Sequence, residues 1–183
     1  MAVRRVATVA LAAFLLAVPR LNAQRALEYQ VKAAYLYNIV NFVTWPPDAF
    51  SGPADPLHVC VFGADPFGPI LDTEMQNGTS NGRPVAVIRT MDAAALPDCE
   101  LVFLPGGNTD RMDQAIRVTS QRPVLTVGES ADFLRRGGMI AFVVDGGRVR
   151  FDVNLPVATA RGLSLSSRLL QVARTIVGRG GAA

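Results

Sequence analysis

Between Pro123 and Pro156 the chain reads PVLTVGESADFLRRGGMIAFVVDGGRVRFDVNLP, and no other stretch limits the possible fold as tightly. Pro123–Val127 is a short apolar run stopped by Gly128, the pattern of a strand buried on both faces. Met139–Val144 is a second run, opened by Gly137-Gly138. Asp145-Gly146-Gly147 separates it from Val149–Val153, where Val149, Phe151 and Val153 alternate with Arg150 and Asp152. Asp-Gly between β-rich runs signals a hairpin, because both residues tolerate the positive φ that tight hairpin turns require. A buried strand followed by a one-faced antiparallel hairpin predicts the second half of a mixed sheet, with the last strand at or near an edge.

The first half has a different rhythm. Arg25–Val43 reads as a helix with Val31, Ala34, Tyr35, Ile39 and Phe42 on one face, and Leu36, Val40 and Val43 widening it. Asn38 falls inside that face, a position where backbone groups normally satisfy an amide. Trp45-Pro46-Pro47 ends the helix. Leu57–Gly63, Arg83–Thr90, Glu100–Leu104 and Val124–Val127 read as strands. Short helices are expected from the Asp65–Pro69 turn to about Gln76, from Thr109 to Ser120, and over Asp132–Arg136. A last helix is expected from about Ser166 to Val177. Strands alternating with helices imply a largely parallel sheet. The expected fold is α/β: a single three-layer domain, a mostly parallel mixed sheet of about six strands with a C-terminal antiparallel hairpin, and helices on both faces.

The N-terminus stands outside that core. Arg4 and Arg5 precede an apolar run, Val6–Val18, and a small residue at Ala23. This is the form of a cleaved signal peptide over residues 1–23, leaving a domain of residues 24–183 in the periplasm. The apolar run is too short to span a bilayer comfortably. Removing Arg4, Arg5 and Arg20 from the 18 basic residues balances them against the 15 acidic ones. A neutral domain argues against bulk nucleic-acid binding. One asymmetry remains: Arg161, Arg168, Arg174 and Arg179 follow Asp152 with no acidic residue among them, as expected for cations near a helix C-terminus or for a surface facing an acidic partner or lipid. In an exported chain, the only two cysteines, Cys60 and Cys99, are expected to form a structural disulfide. Cys60 lies in the first core strand and Cys99 just ahead of the third, which can be neighbours in a doubly wound order.

Catalytic patterns are missing. His58 is the only histidine, so a His-based triad or a multi-His zinc site is ruled out. The chain has no G-x-S-x-G elbow and neither nucleotide-binding glycine motif. No catalytic residue, metal site or cofactor is assigned, and an exported hydrolase with a carboxylate-only site is the least favoured reading. Three strand ends, Gly63–Gly68, Pro105–Asn108 and Gly128–Ser130, converge where open α/β sheets bind ligands. Asp65, Phe67, Asn108 and Ser130 are therefore candidate ligand or partner contacts.

Taken together, EYQVKAAYLYNIVNFVTWP, GADPFGPILD, and PVLTVGE…GGMIAFVVDGGRVRFDVNL followed by LSLSSRLLQVAR resemble the YfiR family of periplasmic proteins, from about Leu27 to Val177. The resemblance implies a repressor that binds the periplasmic sensor region of an inner-membrane diguanylate cyclase, a GGDEF protein, and so lowers cyclic-di-GMP and affects biofilm formation. It implies a second partner, an outer-membrane lipoprotein that sequesters the repressor. Cys60 and Cys99 match a disulfide of that family, a second bridge of some members has no counterpart here, and Asn154 matches a segment near which small ligands have been placed. The alternative is a small-molecule-binding sensor acting through a histidine kinase or another membrane partner. An exposed hairpin edge would also permit a homodimer.

Overall fold

The computed structural model describes residues 24–178 apart from Pro53 and Asn77. The expected leader, residues 1–23, and Arg179 lie outside the described residues. Helix α1 covers residues 24–42 and runs into β1, Val43–Thr44. A 3-10 helix at Pro47–Ala49 leads to β2, Leu57–Phe62. Then come α2 (Pro69–Met75), β3 (Thr79–Ser80) and β4 (Arg83–Thr90). A second 3-10 helix at Ala93–Asp98 precedes β5 (Leu101–Leu104), α3 (Thr109–Val118) and β6 (Leu125–Gly128). The hairpin strands are β7 (Ile140–Asp145) and β8 (Arg148–Asn154). The chain closes with α4 (Leu155–Ala160), β9 (Ser164–Leu165), α5 (Ser167–Val172) and β10 (Thr175–Val177).

Eight strands form one sheet in the order β10-β8-β7-β6-β5-β2-β4-β3. Its centre, β7-β6-β5-β2-β4, is parallel throughout; β8 runs antiparallel to β7, and β3 antiparallel to β4. The side-chain period of two explains the layers. Leu57, Val59 and Val61 of β2 and Leu101 and Phe103 of β5 join the larger core, roofed by α1, α2, α4 and α5. Cys60, Phe62, Val102 and Leu104 point the other way, into a smaller core under α3 and the Ala93–Asp98 turn. Helix α1 lies across the first face. Tyr35 packs on Phe142 and Phe151, and beyond its end the Trp45 indole donates to the Glu100 carbonyl at 3.0 Å. The Cys60–Cys99 disulfide is formed, closing a separation of 39 residues and tying β2 to the turn that delivers β5.

Three expectations are corrected. The last helix stops at Val172, and Thr175–Val177 instead forms a strand parallel to β8. Three consecutive β-branched residues prefer the pleated conformation, and β8 offers an edge to receive them. The Arg174 amide donates to the Phe151 carbonyl at 2.8 Å, and its guanidinium grips the Asp152 carboxylate. This ion pair absorbs part of the C-terminal basic excess. With β10 in place, the outer edge of β8 is paired over Asp152–Asn154. Asp132–Arg136 forms consecutive turns rather than a helix. Finally, the buried stripe of α1 matches the expected face only in part: Leu36, Ile39, Val40 and Val43 are buried as expected, together with Tyr29, Lys32 and Ala33, whereas Ala34, Tyr35 and Phe42 are half-buried, Val31 is exposed, and Asn38 is exposed and donates to the Ala34 carbonyl.

Candidate functional site

The sheet order contains a topological switch. From β2 the chain crosses through α2 on the first face to β4, then returns to the other side of β2 as β5, whose crossover helix α3 lies on the second face. Loops leaving β2 and β5 therefore diverge and leave a crevice at their carboxyl ends, the place where open α/β sheets take ligands. A crevice of about 330 Å³ is present there. It is lined by Ala64, Asp65 and Pro66 after β2, Pro105 and Gly106 after β5, Glu129 after β6, and Arg25 and Tyr29 of α1. The predicted convergence of the three strand ends is thus observed.

Glu129 is the hub. Its Oε1 accepts from the Lys32 ammonium at 2.7 Å. Its Oε2 accepts from the Tyr29 hydroxyl and from the Gly106 amide, both at 3.1 Å. Lys32 also bonds Glu28 one turn earlier, and its nitrogen lies 4.5 Å from the Tyr29 ring centroid. The side chains of Lys32 and Glu129 are 5% and 10% exposed. Burial alone would push the Lys32 ammonium down, but its hydrogen bonds to Glu129 and Glu28 outweigh burial and hold it above the ordinary lysine range. Burial, then the Glu129 charge, push the Tyr29 phenol up. One carboxylate thereby fastens α1 and the loop after β5 to the end of β6.

Of the residues expected from sequence, Asp65 alone lines this crevice. Its Oδ1 accepts from the Phe67 amide and its Oδ2 from Arg89, which also grips Asp72. Hydrogen bonds from Arg89 hold the Asp72 carboxyl below the usual carboxylate range. Phe67 is buried, in edge contact with Tyr29 and Phe103. Asn108 caps α3 by accepting from the Arg111 amide. The Ser130 carbonyl starts the turn to Phe133. Asn154 caps α4 and donates to the Leu134 carbonyl, far along the sheet from the crevice. Tyr29, Lys32 and Glu129 were missed. The available signal was Lys32 itself, a charge set between Tyr29 and Leu36 on what proves to be the buried stripe.

A second feature lies on the other side of α1. Leu27 and Val31, four residues apart, stand exposed there, and Tyr35, four residues further on, is half-buried with its ring packed on Phe142 and Phe151. With Val144 and Val149 of the hairpin they line a groove of about 460 Å³, and Glu28 stands on its rim. Leu27 is 61% and Val144 57% exposed. Val31 and Tyr35, two residues of the face expected from the helical wheel, thus line this groove. Among the described residues, no helix is long and apolar enough to cross a membrane and no metal-binding cluster is present.

A family model described as YfiR/HmsC-like matches residues 29–174. Among solved structures, the ABC domain in complex with L-Trp from Streptococcus pneumoniae superposes with a TM-score of 0.55 at 9% identity, covering 79% of this chain and 60% of that one. A conserved domain protein from Vibrio cholerae O1 biovar El Tor gives a TM-score of 0.49 at 11% identity, with coverages of 68% and 55%. The present chain therefore spans 60% and 55% of these two structures. The first likeness is one of fold.

Proposed function

This chain belongs to the YfiR/HmsC-like family, and from that premise we propose that it represses an inner-membrane diguanylate cyclase by binding the cyclase's periplasmic sensor region. The family supports a regulatory role in cyclic-di-GMP signalling in the periplasm. The observation that carries the reading is the family match across residues 29–174, nearly all of the described chain. The mature protein begins at Gln24 after removal of residues 1–23, and an outer-membrane lipoprotein is its second partner. Repression works by population shift: the protein binds one conformational state of the sensor region and holds the cyclase in its low-output form. The groove between α1 and the hairpin is a suitable contact, since exposed apolar side chains gathered in one groove mark interaction sites.

The test is affinity capture from cross-linked envelope with tagged protein, beside cyclic-di-GMP measurement in a deletion strain. Recovery of an inner-membrane GGDEF protein and a rise of cyclic-di-GMP on deletion are expected. Val144→Glu, at an exposed position, is expected to reduce both capture and repression. Unchanged cyclic-di-GMP after deletion, with no GGDEF protein captured, would overturn repression. The crevice at the switch point favours one further reading, a sensor of small molecules, which can coexist with the first.

A further inference from the structure

The groove between α1 and the hairpin runs along a strip of unpaired backbone. Consecutive residues of the hairpin, Gly147 to Arg150, line it, although successive side chains of a strand point to opposite faces. The groove therefore follows the edge of β8 itself. Strand β10 pairs with β8 only over Asp152–Asn154. In an antiparallel ladder the N–H and C=O of one residue turn to the same side, and alternate residues turn to opposite sides. The Phe151 carbonyl accepts from the Arg174 amide on the outer side, so Phe151 and, two residues earlier, Val149 both face outward. Among the described residues, no strand meets Val149 there. Its N–H and C=O form an open edge of the kind that accepts a further strand.

The side chains define what that strand must carry. Val149 packs against the larger core under α1, with Leu27 and Val31 exposed beside it. Arg148 and Arg150 alternate with it and are exposed. The two hairpin carboxylates, Asp145 and Asp152, both face Arg174, at 3.9 and 2.6 Å, so neither Arg148 nor Arg150 has an ion pair among the described residues. Directly paired residues on neighbouring strands share a face, where opposite charges attract and like charges repel. An antiparallel pairing of two copies about Val149 would set arginine against arginine, so this edge disfavours self-association.

We propose that the outer edge of β8 receives an extended segment of a protein partner with the pattern acidic–apolar–acidic. The apolar residue lies opposite Val149, over Leu27 and Val31, and the two carboxylates lie opposite Arg148 and Arg150. Main-chain bonds to Val149 hold the segment, and the period-two pattern selects it. The inference rests on the groove being the partner contact, not on the partner being a cyclase.

The test titrates three fluorescein-labelled hexapeptides into the purified protein, read by fluorescence anisotropy. One alternates aspartate and valine, one alternates lysine and valine, and one has a block of valines followed by a block of aspartates. The alternating aspartate peptide is expected to bind saturably, one to one, and to shift the Val149 amide in NMR; the other two should bind at least roughly tenfold more weakly. Arg148→Glu combined with Arg150→Glu, both at exposed positions, is expected to turn the preference to the lysine peptide. Val149→Pro removes the outward N–H without breaking a hairpin bond. With its melting curve recorded to establish folding, it is expected to weaken binding roughly tenfold. Equal binding of the block peptide, an unchanged charge preference in the double variant, full binding by folded Val149→Pro, or no saturation in the millimolar range would each overturn the proposal. Association with phosphatidylglycerol vesicles in place of the peptide would assign the groove to a lipid surface and overturn it equally. None of these titrations contains a cyclase, so their failure leaves that reading to the capture experiment.

Discussion

Replacing Lys32 with Met tests whether the Glu129 hub holds α1 in place. The Lys32 side chain is 5% exposed, so Met fills nearly the same space while removing the charge. Glu129 is then left as a carboxylate 10% exposed, with the Tyr29 hydroxyl and the Gly106 amide as its remaining donors. Removing one member of a buried pair typically costs about 3–5 kcal/mol, and the two surviving donors place this case near 3 kcal/mol. At about 2–4 °C per kcal/mol for a domain of this size, the melting temperature should fall by roughly 6–12 °C. Glu129→Gln should cost less, about 1–2 kcal/mol, because Lys32 keeps Glu28 as a partner. The double variant buries no lone charge and should be more stable than the two single losses added together by about 2 kcal/mol.

Denaturant unfolding at pH 7 and pH 5 supplies a second check. In the native protein the Lys32 value is raised, so its contribution is fully present below the ordinary lysine range and is lost only as pH rises through the raised value. It is therefore constant between pH 5 and 7. Strict additivity in the double variant would refute the reasoning.

Four further outcomes are expected. Reducing Cys60–Cys99, or replacing both with Ala, opens a loop of 39 residues and should cost about 4 kcal/mol in the chain-entropy model, measured by unfolding with and without reductant; a loss under about 1 kcal/mol would contradict that model here. Burial raises the Glu100 carboxyl, so its charged form opposes folding above the raised value and the penalty fades as pH falls. Glu100→Gln should accordingly match or exceed native stability at pH 7, with its advantage shrinking by pH 4.5, and the reverse trend would exclude burial as the cause. A Cβ on Gly138 would lie 2.3 Å from the fully buried Phe133 ring, so Gly138→Ala should cost about 1–3 kcal/mol. Gly146→Asn, at φ 56° in the open hairpin turn, should change stability by under about 0.5 kcal/mol.

The sequence by itself determined the α/β class, the positions of the central strands, the hairpin and the convergence of three strand ends on one edge. These depend on short-range physics: apolar run length, period-two alternation, Asp-Gly turn chemistry and glycine after a strand. Arg83–Thr90 was legible to the residue for that reason. The disulfide was legible because the chain has only two cysteines. Tertiary structure decided the rest. Thr175–Val177 could have continued a helix until the edge of β8 offered backbone partners. Helix α1 is apolar around most of its circumference, and only the presence of the sheet selects Tyr29, Ala33, Leu36, Ile39, Val40 and Val43 for burial and leaves Leu27 and Val31 facing the groove. The candidate site was half legible. Its loops were predicted, but Lys32 and Glu129 are 97 residues apart in sequence. A buried ion pair between them has no local signature, because its energy exists only once folding has removed both groups from water.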